Sequence, residues 1–385
     1  MTPRTPLSFV AALAVLVGAL GTSPAAAAIT IDVPCTVPSL RAALEAANGS
    51  GGGTLLLAQS CNYTLVEPDN VGADGPNGLP VVSTPITVIG RGATVQRSTM
   101  NSTPPFRILE VAPAASLTAS ALTLAGGLIP GGRGGAVLNG PGARLTLNGV
   151  TLDGNRTPTT FPPEPFHLGF GGAIYNAGGG TVTLSGATLT GNGDGSQLGG
   201  AVENGGSGHI EVIGSVFRAN RAGTGGAIHA GGANGSIRIR GSVFVANAGV
   251  DAGAAVDNDG SNTMEISGSS FVNNTFGSGG GVFNGGNLTI TDTLLSANIS
   301  PIGGGLYNGG IATVTRSRIA ANHAEEGGGV YNLGVLVMID SQVVTNRADH
   351  EGGGIFNTGH LTLSGTSVFA NTPDDCINAN GGTGC

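Results

Sequence analysis

From residue 134 onward two markers recur in step, and no other feature constrains the fold as tightly. A glycine-rich start leading to an aliphatic-x-Asn element ends at Asn139, Asn176, Asn204, Ala230, Asn258, Asn284, Asn308, Asn332 and Asn357. An apolar-x-x-Asn element follows about sixteen residues later, ending at Asn155, Asn192, Asn220, Asn247, Asn274, Asn298, Asn322, Asn346 and Asn371. The markers count nine turns of about 24 to 28 residues, regular at 24 or 25 over the last three. Such a period, without leucine-rich or helical patterning, excludes the smallest solenoids and the helical repeats. It predicts a right-handed parallel β-helix over residues 54–371.

Within each coil lies a strand such as 181–185 or 287–291, in which apolar residues alternate with polar ones. That is the pattern of a strand with one buried face. Stacking sets equivalent residues about 4.8 Å apart in ladders along the solenoid. The two Asn columns then read as structural, each amide bonding a turn and its own copies above and below.

Both open ends of a solenoid invite edge pairing and call for a cover. Pro38 to Asn48 carries Leu40 and Leu44 at helical spacing, which suits a short capping helix within an N-terminal cap over 29–53. Residues 372–385 are expected to close the far end. Cys35 with Cys61 and Cys376 with Cys385 give one candidate disulfide at each end.

Residues 1–28 read as a signal peptide, with Arg4, an apolar run from Leu7 to Gly21 and Ala25 to Ala28 before the expected mature start near Ile29. The protein is therefore expected outside the cell, secreted or held at the surface. No later segment reaches the roughly 18–20 apolar residues of a membrane helix. The 15 basic residues, all Arg, face 23 acidic ones, which argues against nucleic acid as a partner. Capped ends argue against filament growth and for a monomer.

Gly171 to Ile174 and Gly225 to Ile228 are Gly-Gly-Ala-Ile, and Phe217, Phe244 and Phe271 each precede an Asn by three residues. This pairing resembles the repeats of the chlamydial polymorphic outer membrane proteins, over roughly residues 134–371. The resemblance implies a surface-displayed passenger used in adhesion, although the membrane barrel of those proteins has no counterpart here. Cys35 to Asn48 is similar to the Cys-Ser-Leu-Arg-type segment opening many bacterial secreted β-helix proteins, with Thr36, Val37 and Pro38 intervening. It implies a cap. The expected architecture is thus a pectin-lyase-like solenoid.

The column before the first Asn is expected to face outward. It reads Leu138, Tyr175, Glu203, His229, Asp257, Phe283, Tyr307, Tyr331 and Phe356. Glu203, His229 and Asp257 are candidate catalytic residues, the two acids lying two coils, or about 9–10 Å, apart, at the upper limit for an inverting glycosidase pair. Tyr175, Phe283, Tyr307, Tyr331 and Phe356 are candidate sugar-binding rings; packing under neighbouring loops is the alternative. A second column, Glu211, Arg238 and Glu265, reads as a salt-bridge ladder. Glu325 and Glu326 stack by the period on Asp349 and His350, a candidate Ca²⁺ site or a solvated turn; no other cofactor is implied. The loop 156–170, with Glu164 and His167, is a candidate groove wall or a plain insertion. Lyases of this fold use an Arg or Lys base beside carboxylate-bound calcium, and this chain has no Lys.

Two functional readings stand. One is a non-catalytic scaffold for adhesion, matrix or glycan contact; the other is a polysaccharide lyase or glycoside hydrolase acting on an extracellular polysaccharide or cell-envelope glycan. They separate on whether Glu203, His229 and Asp257 converge in an open groove.

Overall fold

The structure, a computed structural model, describes residues 29–72, 74–160, 167–194, 197–379 and 381–385. The expected signal peptide and Glu164 lie outside the described residues. The chain winds as a parallel β-helix with three faces. The first carries mostly five-residue strands, from Ile29–Val33 through Thr181–Ser185 to His360–Ser364. The second carries mostly three-residue strands such as Val216–Arg218, ending at Ser367–Phe369. The third runs from Leu109–Val111 to Cys376–Asn378. The first two faces form one 23-stranded sheet among the described residues, because the long strands Ile86–Arg97 and Ser116–Ala125 turn the corner between them; the third face has 11 strands.

Pairing between coils is in register and parallel, as in Thr181–Ser185 on His209–Ile213 and Ile174–Asn176 on Val202–Gly205. Alternation decides what is inside: Val182, Ile210, Ile237, Met264 and Leu288 make one buried column of the first face. Phe217, Phe244 and Phe271 stack inside the second at 4.6 Å between centroids.

Backbone turns between faces fall at fixed places. Residues immediately before the second Asn column, from Ala219 through Ala246, Asn273, Ala297, Ala321 and Thr345 to Ala370, have φ between 52° and 57°. The left-handed turn lets the following Asn point inward, where Asn155, Asn192, Asn220, Asn247, Asn274, Asn298, Asn322, Asn346 and Asn371 form an unbroken ladder of amide hydrogen bonds at 2.9–3.0 Å. The first Asn column is interrupted at Ala230. Asn139, Asn176 and Asn204 form one run and Asn258, Asn284, Asn308, Asn332, Asn357 and Asn378 another. Asn139 Oδ1 and Asn258 Oδ1, at the head of each run, are buried without a donor. Asn262 partly fills the gap, donating to the carbonyls of Ala230 and Gly232.

The helix Val37–Gly49 is capped by Thr36, whose hydroxyl accepts from the Ser39 N–H, and buries Leu40, Ala43, Leu44 and Ala47. Leu40 and Leu44 meet Leu57, Leu79 and Val82 at the end of the core. The β-structure begins earlier than the sequence suggests: Ile29–Val33 is already a rung, paired with Gly53–Leu57, and the helix is inserted between them. Cys35–Cys61 and Cys376–Cys385 are disulfides. Among the described residues no helix is long and apolar enough to cross a membrane.

Candidate functional site

The column before the first Asn lies on the third face and is longer than its sequence marker. Register places Glu110 above Leu138, followed by Tyr175, Glu203, His229, Asp257, Phe283, Tyr307, Tyr331, Phe356 and Ile377. Its side chains leave the strand on the side away from the core, as alternation requires. The expectation that they are exposed is corrected by the structure: Glu203, His229 and Asp257 are 3%, 5% and 1% exposed. The glycine turns lie against the base of this column. Gly225, at φ 64°, sits so close that a Cβ there would stand 2.7 Å from His229 Cβ, and Gly253 lies equally close to Asp257. Gly231 closes the other edge, where a Cβ would meet Glu203 Oε1 and His229 Cε1.

Inside this wall His229 Nδ1 donates to Glu203 Oε2 at 2.7 Å. Burial alone disfavours the imidazolium, but the charge and hydrogen bond of Glu203, with Asp257 and Asp259 beyond, outweigh it and push His229 up to about 9. Asp257 has no such partner. Burial pushes its carboxyl up to about 7 against the pull of His229, and its Oδ1 is sealed without a hydrogen bond. The three candidate catalytic side chains are therefore neighbours, but they form a closed cluster, not a groove.

The aromatic half of the column is equally committed. Phe283, Tyr307, Tyr331 and Phe356 stack with centroids 4.7, 5.6 and 5.0 Å apart and planes within 13°. A platform for sugars needs open ring faces; here the faces cover one another and only edges remain. Tyr175 stands apart, edge-on to Phe170 at 6.1 Å and with the Arg133 guanidinium 5.1 Å from its centroid.

The second column is rearranged. Arg238 binds Glu265 at 2.6 Å, while Glu211 binds not Arg238 but Arg240, at 2.8 Å. Arg238 spends its charge on Glu265, and Arg240, two residues on, projects from the same side of the strand. Glu211, Arg238 and Glu265, with Thr181, Thr183, His209 and Ser236, line a shallow trough of about 270 Å³ on the outside of the first face.

The expected stacking of Glu325 and Glu326 on Asp349 and His350 is also corrected, by a bulge. Ala324 pairs with Ala348 and Glu326 with Glu351, because the later coil holds one more residue. Asp349 is engaged by His323 at 3.0 Å and Arg347 at 3.2 Å. Among the described residues no three His, Cys, Asp or Glu side chains are placed to hold a metal ion.

Sequence reading missed Glu110, because Val111 stands where the marker has Asn. It also missed Arg107, a fully buried arginine that contacts Glu110 at 3.5 Å. The only signal was an arginine inside an apolar run.

No protein-family model and no curated protein matches the chain. Among solved structures it is similar to the A-module of mannuronan C-5 epimerase AlgE6 from Azotobacter vinelandii, at 16% identity and TM-score 0.44, covering 88% of this chain and 96% of that one. The tailspike protein of Escherichia coli bacteriophage HK620, solved with a hexasaccharide, aligns at 13% identity and TM-score 0.40, over 90% of this chain and 61% of that one. PfbA, a surface adhesin of Streptococcus pneumoniae, aligns at 13% and 0.34, over 86% and 85%. At these identities and scores none of the alignments bears on ligand or activity.

Proposed function

We propose that this chain is an extracellular β-helical scaffold that contacts a polysaccharide along its outer faces without cleaving it. The observation that carries the reading is a contrast between two places. The trough on the first face presents hydroxyls, an imidazole and matched ion pairs to solvent. The acids that cleavage would need, Glu203 and Asp257, are 3% and 1% exposed. The expected signal peptide, the two disulfides and the resemblance of the Gly-Gly-Ala-Ile and Phe-x-x-Asn repeats to surface-displayed passengers support the extracellular setting.

The test is glycan-array binding by residues 29–385, followed by turnover assays on any bound polysaccharide. Binding without turnover, weakened by Arg238→Gln with Glu265→Gln, is the expected result. Absence of binding refutes it. A second reading, a glycoside hydrolase or lyase, has one observation of its own: Asp257 keeps its proton to about pH 7, as a general acid must. Turnover abolished by Asp257→Asn and by Glu203→Gln would establish that reading.

A further inference from the structure

Phe276 is the most exposed aromatic ring among the described residues, at 65%. It also stands at φ 70°, a left-handed conformation that a bulky side chain adopts only under strain. Nothing in the fold offsets that strain: the ring lies outside the core, and among the described residues no other ring stacks on it. Strained residues of this kind gather at functional sites.

The ring borders a depression of about 250 Å³ on the outside of the turns that follow the second Asn column. Successive turns stack there, Thr275 on Ile299, Ile299 on His323 and His323 on Arg347. Their backbones are joined as well. The Phe276 N–H donates to the Ile299 carbonyl at 3.0 Å, the Ser300 N–H to the His323 carbonyl at 3.1 Å and the Glu325 N–H to the Pro301 carbonyl at 2.8 Å. Phe276, Ile299, Pro301 and Ala324 give the depression an apolar side; Ser300, His323, Glu325 and Asp349 give it a polar one.

Charge sets the class of ligand. The stacked turns 248–252, 275–278, 299–302, 323–326 and 347–351 hold Asp251, Glu325, Glu326, Asp349 and Glu351 against one arginine, Arg347. Arg347 is spent on Asp349 at 3.2 Å, and His323 meets the same carboxylate at 3.0 Å. Among the described residues Glu325 is left at the depression without an ion pair.

We infer that this depression is a subsite for one amino-sugar unit of a polysaccharide, its C–H face on the Phe276 ring and its ammonium toward Glu325. The inference rests on the glycan-contact reading and adds a site separate from the trough. A pyranose ring has an apolar face that an aromatic side chain covers, and an ammonium near that ring gains from the π-system as well as from the carboxylate. A uronate would meet uncompensated negative charge instead.

Saturation-transfer NMR of residues 29–385 at slightly acid pH, with 1,4-linked trimers of glucosamine, N-acetylglucosamine and galacturonate, tests this. The glucosamine trimer should bind, and the other two at least about tenfold more weakly. Phe276→Gly, which relieves the backbone strain and so keeps the fold, should weaken the glucosamine trimer by about tenfold. Glu325→Gln should weaken it too and flatten its salt dependence. Phe369→Ala, which removes an exposed ring near the far end of the rod, should leave it unchanged. Equal binding by Phe276→Gly, equal binding of the N-acetylated trimer, or no trimer bound while the array is positive overturns the subsite and leaves the scaffold reading intact. Trilysine binding as tightly as the glucosamine trimer also overturns it, in favour of a basic peptide. Phe276-dependent binding of the glucosamine trimer beside an otherwise negative array supports the subsite and overturns contact along the trough.

Discussion

Replacing one amide in the middle of the unbroken ladder isolates what holds the coils together. Asn274 is 0% exposed. Its Nδ2 donates to the Phe244 carbonyl at 3.1 Å and to Asn298 Oδ1 at 2.9 Å; its Oδ1 accepts from the Asn247 backbone N–H and from Asn247 Nδ2, each at 3.0 Å. Asn274→Ala removes all four bonds and strands two donors of Asn247 in the core. A buried donor left unsatisfied costs ~1–3 kcal/mol, so the expected loss is about 4 kcal/mol. With an unfolding entropy of ~2.1 cal/mol/K per residue over roughly 350 residues, that lowers Tm by about 5 °C.

The assay is calorimetric melting together with amide hydrogen exchange at Asn247, because a solenoid transmits damage only to neighbouring coils. Asn371→Ala is the matched comparison. Asn371 accepts the same two bonds from Asn346, but at 9% exposure near the end of the rod, where water replaces them. It should cost less than half as much. A loss below about 1 kcal/mol at Asn274, or equal losses at both sites, refutes the argument that desolvated donors set the cost.

Stability should fall as pH rises, through two groups that bind protons more tightly when folded. His229, at about 9 against 6.5 unfolded, contributes fully below pH 6.5, and that contribution is lost as pH rises through 9; Asp257, at about 7 against 3.8, loses its contribution between those values. Asp257→Asn should therefore raise the urea midpoint at pH 8 and leave it nearly unchanged at pH 4; an equal effect at both pH values counts against the assignment. Tyr307→Leu breaks two ring stacks and should cost about 1–3 kcal/mol in urea unfolding while leaving glycan binding intact, since both faces of that ring are covered by its neighbours. Thr345→Gly relieves a β-branched residue at φ 55° and should stabilise by about 0.5–1 kcal/mol in the same assay; a loss would mean that the Thr345 hydroxyl, 2.7 Å from the Val344 carbonyl, outweighs the strain.

The ladders were legible because each coil meets only its neighbours, so a fixed period in sequence becomes a fixed register in space. The cover over Glu203, His229 and Asp257 was not. Alternation tells which side of a strand a residue leaves from, but not what lies on that side; here the glycine turn four residues earlier, at Gly225 and Gly253, lies against the base of His229 and Asp257. Read as a turn signal alone, that glycine conceals its second role as the wall against which a side chain is buried. The stack from Phe283 to Phe356 was hidden for a related reason: a repeat of about 24 residues fixes which rings are neighbours, while rotamers decide whether their faces meet each other or the solvent. At Glu326 a single extra residue before Glu351 was enough to defeat the period.

Nearest-neighbour stability also explains where the irregularities gather. A coil that departs from the pattern disturbs only the two beside it, so loops, gaps and buried charges are tolerated locally without loss of the rod. They are not spread evenly. Arg107 with Glu110, the 74–77 segment, the loop carrying His167, the interruption at Ala230 and the Glu203–His229–Asp257 cluster all fall before residue 262, whereas the coils from Asn284 to Asn357 repeat at 24 or 25 residues with continuous amide and ring ladders. A chain serving only as a spacer gains nothing from keeping a fully buried arginine in one half and none in the other. On the reading proposed above, the irregular half carries the recognition along the trough and the regular half is the support that holds it out.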